Sequence, residues 1–143
     1  AIMFLLLLKM AFIYSIINQG LLWLIIFMPI VGRLGVILLM YKTVSPRENG
    51  MGNLFIGKAS TSMFTISILY TIVLILGISK LIFLASNFEV IMLISMIIVL
   101  FLFNYIFKKH IYNKIDGITG DILGCSIELG ELIYLFSIYL MVL

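Results

Sequence analysis

Five long apolar runs dominate this chain, at about 1–17, 21–41, 63–79, 90–107 and 122–143. Each is close to the roughly 17–25 residues that carry a helix across a bilayer. None alternates with period two, which excludes the strands of a membrane barrel. All are rich in Ile, Leu and Phe on every side, the pattern of helices that face lipid. Of the 143 residues, 64% are hydrophobic and 10% charged. A water-soluble domain of this size buries only about 68–70% of its chain surface and could not hide so much apolar side chain. The expected fold is all-α: a polytopic integral membrane bundle of about five transmembrane helices, forming a single domain over 1–143.

The composition also excludes several functional classes. Cys125 is the single cysteine, so no internal disulfide forms, and one Cys with one His is a poor basis for zinc. The net charge of +3 is nine Lys and Arg against six Asp and Glu; seven of the nine lie between the spans, where they set topology and give no reason to expect a nucleic-acid partner. The chain opens on Ala1 and drops directly into AIMFLLLL, with neither a basic leader region nor a small-residue cleavage site. The expectation is a portion of a longer chain.

The charges orient the bundle. Residues 18–20 carry no Lys or Arg, and 80–89 carry Lys80 against Glu89. The stretches 42–62 and 108–121 hold Lys42, Arg47 and Lys58, and Lys108, Lys109 and Lys114. By the positive-inside rule the two basic stretches are cytoplasmic and the C-terminus lies outside. The two most polar, glycine-rich connections then share one face of a cell membrane. His110 reads as a residue at a cytoplasmic helix end, and Trp23 as an interface anchor.

Two constellations could carry chemistry. The first runs from Gly32 to Lys58. Arg33 lies mid-span, where an ionisable group costs about 2.5–3.5 kcal/mol to insert and usually faces a cavity or a partner. The following connection offers Arg47, Glu48, Asn49, Gly50, Gly52, Asn53, Gly57 and Lys58. Glycines admit close backbone approach, successive N–H groups make anion-binding nests, and Arg and Lys add phosphate donors. This reads as a phosphate-binding loop, although the same residues suit a turn with topology-setting charges.

The second constellation is GITGDILGCSIELGELIYL, residues 117–135. On a helix, Asp121, Gly124, Cys125 and Glu128 form one stripe, with Glu131 about 60° round from Glu128. Gly120 and Gly124 have the spacing that permits close helix contact, and Cys125 reads as a packing residue. The carboxylates could hold Mg²⁺ with substrate phosphates, balance Arg33 or Arg47, carry a proton, or form a salt bridge that only assembles the bundle. Lys9, inside the first run, could snorkel or reach the same cavity.

At these two segments the chain resembles the cobalamin synthase family, the adenosylcobinamide-GDP ribazoletransferases. PRENGMGNLFIGK, residues 46–58, is similar to a family loop of the form AREeGLGnxFxGK. GITGDILGCSIELGEL is similar to the signature GxTGDxLGAxxELxEL, and Lys9 in LLLLKM to a lysine of the preceding span. Cys125 stands where the family often has Ala, and Ser45-Pro46 where Tyr-Ala is common. The family's upstream acidic motif, DGLADxxDG, has no counterpart, so the resemblance implies the C-terminal part of the enzyme.

The resemblance implies a Mg²⁺-dependent transferase of the last stage of cobalamin assembly. Alpha-ribazole, or its 5′-phosphate, would attack adenosylcobinamide-GDP and release GMP. The implied roles are catalytic for Arg47, Asp121 and Glu128, with Asp121 and Glu128 also as metal ligands beside the upstream carboxylates. Arg33, Gly50, Gly52, Asn53, Lys58 and Lys9 would bind substrate phosphate, supported by Glu131 and Glu48. The lipid bilayer is a further partner, and a homo-oligomer is compatible with the reading. A CDP-alcohol phosphotransferase would share membrane, metal and departing nucleotide, but its DGxxAR signature is missing here. Half of a membrane transporter, with Arg33 and the carboxylates lining a path, is the third possibility.

Overall fold

The structure, a computed structural model, describes residues 2–46 and 51–142. Its helices are α1 (Ile2–Asn18), α2 (Met28–Met40), α3 (Thr61–Gly77), α4 (Asn87–Ile115) and α5 (Gly120–Val142). A 3₁₀ turn, Leu22–Phe27, leads into α2, and a π turn, Ile78–Ile82, extends α3. Among the described residues there is no strand, only an isolated bridge between Tyr41 and Ala59. The all-helical polytopic architecture expected from the apolar runs is therefore present.

Four of these segments are long and apolar enough to span: Leu22–Met40, Thr61–Ile82, Asn87–Ile115 and Gly120–Met141. The 17 residues of α1 make a shorter apolar helix. Phe4, Tyr14, Tyr70, Leu81 and Ile106 are each more than 60% exposed, a periphery that only lipid would cover.

Local signals set the ends. Gly20, at φ +75°, closes α1: its N–H bonds Ile17 O while the Leu21 N–H bonds Ile16 O, both orphan carbonyls of the last turn. Pro29 sits at the first turn of α2, where a missing donor costs nothing. Ser60 caps α3, and Ser86 with Glu89 forms a reciprocal capping box on α4.

The stretch 108–121 is not the loop expected from its charges. Residues through Ile115 continue α4, whose 29 residues make about 43 Å of helix. That exceeds the ~30 Å hydrocarbon core, so the last turns of α4 project from it. Lys, Tyr and Asn are compatible with helix once the apolar turns have nucleated it.

The core lies between α2, α4 and α5. Val31, Leu34, Leu93, Leu100, Leu135 and Ile138 are buried together there. Gly130 lies against Gly32, letting the two backbones close up: a Cβ on Gly130 would stand 3.5 Å from the Gly32 Cα. Between α2 and α5 the close-contact glycines are thus Gly32 and Gly130; of the pair expected at a helix contact, Gly120 lies against Gly52 instead and Gly124 makes none. Gly124 has nothing within 4 Å of its would-be Cβ, because it lies on an open side of α5. Beside this crossing, fully buried Asn104 of α4 donates to Leu100 O at 3.0 Å and accepts from the Ser126 hydroxyl at 2.7 Å.

Candidate functional site

The helices deliver both glycine-rich connections to one end of the bundle, here called the loop face. After Met40 the chain turns through Lys42 at φ +49°, and Thr43 folds back so that its buried hydroxyl donates to Leu39 O and Met40 O. The Gly57 N–H then donates to Met40 O at 3.1 Å, returning the loop to its start. Gly57 has φ +75° and lies so close to Thr43 O that a Cβ would stand 2.5 Å from it. The second connection is stitched to the first, since the Ile118 N–H donates to Val44 O at 3.0 Å. Gly117 passes over the same carbonyl, and Gly52, in the 3₁₀ turn Met51–Leu54, lies against the Gly120 backbone. Leu39, Ile56, Ile118 and Leu123 form a small apolar cluster beneath.

The two constellations read from the sequence therefore touch, at Gly52 and Gly120, where α5 begins. The start of a helix presents unpaired N–H groups and a partial positive charge. Asp121 sits in that first turn and is exposed. Down the same side of α5 follow Gly124, Cys125 and Glu128, all exposed. The predicted stripe is thus one open face, running from the loop face about 10 Å along the helix.

Lys9 closes the lower end of that stripe. Its ammonium donates to Glu128 Oε2 at 2.6 Å and to Glu131 Oε2 at 2.7 Å, joining α1 to α5. The Lys9 and Glu131 side chains are only 9% and 12% exposed, against 49% for Glu128. Gly32 makes room for Glu131, whose Cγ lies where a Cβ on Gly32 would go. The trio carries one net negative charge, and two of the three Lys9 donors are occupied.

The other predicted residues are placed as follows. Arg33 is exposed on α2 and donates to Pro29 O at 3.0 Å. Among the described residues no hydrogen bond or ion pair joins it to another predicted site residue, so it does not face the partner expected for it. Lys58 is exposed at the rim of the loop, beside Phe55 and Met63. Arg47, Glu48 and Gly50 lie outside the described residues, and so does the Asn53 side chain. Cys125 is exposed, not packed between helices as expected. Its thiol should therefore react fully with N-ethylmaleimide in native micelles, without denaturant; labelling only after unfolding would contradict this placement.

Among the described residues no three His, Cys, Asp or Glu stand together as a metal-holding group. Glu128 and Glu131 are matched to Lys9. Asp121 stands exposed in the first turn of α5. Sequence reasoning missed Asn104 and Ser126, which fix α4 to α5 behind this site. A lone Asn in a long apolar run was their only signal.

Comparison with known proteins bears on what this arrangement serves. The family model described as cobalamin-5-phosphate synthase matches residues 1–139. An adenosylcobinamide-GDP ribazoletransferase of Clostridioides difficile (strain 630) is 61% identical over 99% of this chain and 55% of its own. One from Alkaliphilus metalliredigens (strain QYMF) is 37% identical over 98% of this chain and 51% of its own. One from Thermodesulfovibrio yellowstonii is 35% identical over 92% and 48%. The chain thus spans about half the length of the curated relatives it matches. No solved structure matches it.

Proposed function

Since the chain belongs to the cobalamin-5-phosphate synthase family, we propose that it supplies part of the active site of an adenosylcobinamide-GDP ribazoletransferase. A hydroxyl of alpha-ribazole, or of its 5′-phosphate, forms a new P–O bond at the phosphorus that carries cobinamide. The P–O bond to GMP breaks, and the hydroxyl proton is released. Adenosylcobalamin or its phosphate results. We place the loop face at the cytoplasmic side of the cell membrane, following its Lys and Arg.

Such phosphoryl transfer depends on positioning and charge neutralisation more than on covalent help from the protein. Arg47 and Lys58 neutralise the diphosphate, while Gly50, Gly52 and Asn53 let the loop close around it. Bound Mg²⁺ would add charge neutralisation, with Asp121 as its protein ligand. The Lys9–Glu128–Glu131 trio holds α1 against α5, so that the α5 start stays fixed relative to the loop.

The observation that carries the reading is the meeting of the two family-like segments at Gly52 and Gly120. The test joins this chain behind the upstream half of the C. difficile relative and measures GMP release in membranes. Release from adenosylcobinamide-GDP only when alpha-ribazole and Mg²⁺ are present is expected. CMP release from CDP-alcohols would favour the phosphotransferase reading, and substrate flux into liposomes without GMP release would favour a transporter.

A further inference from the structure

A second polar region lies on the loop face, away from the α5 stripe. The projecting end of α4, the α2 terminus and the first turn of α3 enclose a cleft of about 640 Å³. Lys42, Lys108 and Lys109 line it, and among the described residues no carboxylate does. Lys108 donates to Leu38 O at 3.1 Å and Tyr41 O at 2.5 Å, satisfying carbonyls at the end of α2. Lys42 stands 5.3 Å over the Tyr41 ring. The Tyr41 hydroxyl shares a 3.1 Å hydrogen bond with Thr61.

The cleft is graded along α4. Phe64 and Tyr105 line its inner end, one turn into α3 and about ten residues before α4 stops. Lys109, Tyr112 and Asn113 line its outer end, about 12 Å further along α4 from Tyr105 at Asn113. Tyrosine and lysine in this order match a headgroup above a glycerol and acyl junction. Inorganic phosphate alone would leave the aromatic inner end uncovered, whereas an acyl chain covers it.

We propose that this cleft binds the phosphate of an anionic phospholipid headgroup, with Lys42 and Lys109 as its charged donors and Phe64 and Tyr105 against the start of an acyl chain. Lys108 contributes charge, but its donors are largely committed to α2. The bound lipid would seal the gap between α3 and the projecting end of α4.

The test counts phospholipid retained on the purified chain by native mass spectrometry, after exchange into mixed micelles of phosphatidylglycerol and phosphatidylcholine. Phosphatidylglycerol should be retained at least about tenfold over phosphatidylcholine, since each interfacial lysine is worth about fivefold. Lys42→Asn with Lys109→Gln should remove that preference; Asn suits the left-handed backbone at position 42. Lys114→Gln, five residues along the same helix and outside the lining of the cleft, should lower it by less than either lining substitution does. Circular dichroism checks that each variant is folded, and Lys109→Gln alone serves if the pair is not. Equal retention of both lipids, or an equal loss from Lys114→Gln, overturns the proposal. Displacement of the lipid by GDP or inorganic phosphate would also overturn it, by making this a soluble-phosphate site. The readout is lipid, not turnover, so its failure is separate from failure of the proposed activity.

Discussion

Replacing Lys9 by Met should destabilise the bundle by about 3–5 kcal/mol, the cost of leaving one side of a buried ion pair without its partner. The effect falls mainly on Glu131, 12% exposed and packed against Gly32, because half-exposed Glu128 can turn outward. If charge is the cause, neutralising the carboxylates as well should recover most of the loss. The variant Lys9→Met/Glu128→Gln/Glu131→Gln should therefore be more stable than Lys9→Met alone. Unfolding in detergent, followed by circular dichroism, measures both. If the triple variant is as unstable as the sum of its parts, the trio holds the helices by packing and not by charge.

The second large effect is steric. A Cβ on Gly35 would stand 2.4 Å from Asn104 Nδ2 and 2.9 Å from its Cγ. Gly35→Ala must push Asn104 off Leu100 O and Ser126, adding about 1–3 kcal/mol of overpacking to about 1–3 kcal/mol for broken buried hydrogen bonds. Gly124→Ala makes the contrasting case. Nothing lies within 4 Å there, and the helix gains up to about 1 kcal/mol of propensity. Thermal unfolding of the two variants should move in opposite directions, and combining Gly35→Ala with Asn104→Ala and Ser126→Ala should restore part of the loss. Equal destabilisation by the two alanines would contradict the assigned faces.

This contrast also shows what the sequence could and could not reveal. Apolar run length found the five helices because lipid imposes the same requirement on every span. Spacing placed Asp121, Gly124, Cys125 and Glu128 on one side of α5 correctly, since helical periodicity is local. It did not say whether that side was packed. Gly124 was therefore expected at a helix contact that Gly32 and Gly130 make instead. The partners of Lys9 lie 119 and 122 residues away, beyond any periodic signal. Arg33 shows the converse: mid-span depth suggested a buried partner, yet the side chain reaches back one turn to Pro29 O. The last turns of α4 were hidden by their charges, which mark topology and helix ends equally well.

The meeting of the two glycine-rich segments was legible only through charge, as a shared face, and through family resemblance. What joins them is backbone: the Ile118 N–H on Val44 O, and Gly52 against Gly120. Contacts of this kind leave only their glycines in the sequence.

The central claim is that these two segments act on one phosphate-bearing substrate. The most direct measurement is GMP release in membranes by the chain joined to the upstream half of the C. difficile relative, with Arg47→Ala and Asp121→Asn introduced separately. Each should lower turnover by about a hundredfold or more, the usual scale for removing a group that stabilises transition-state charge. Turnover within about threefold of the unaltered protein for both variants would contradict the account.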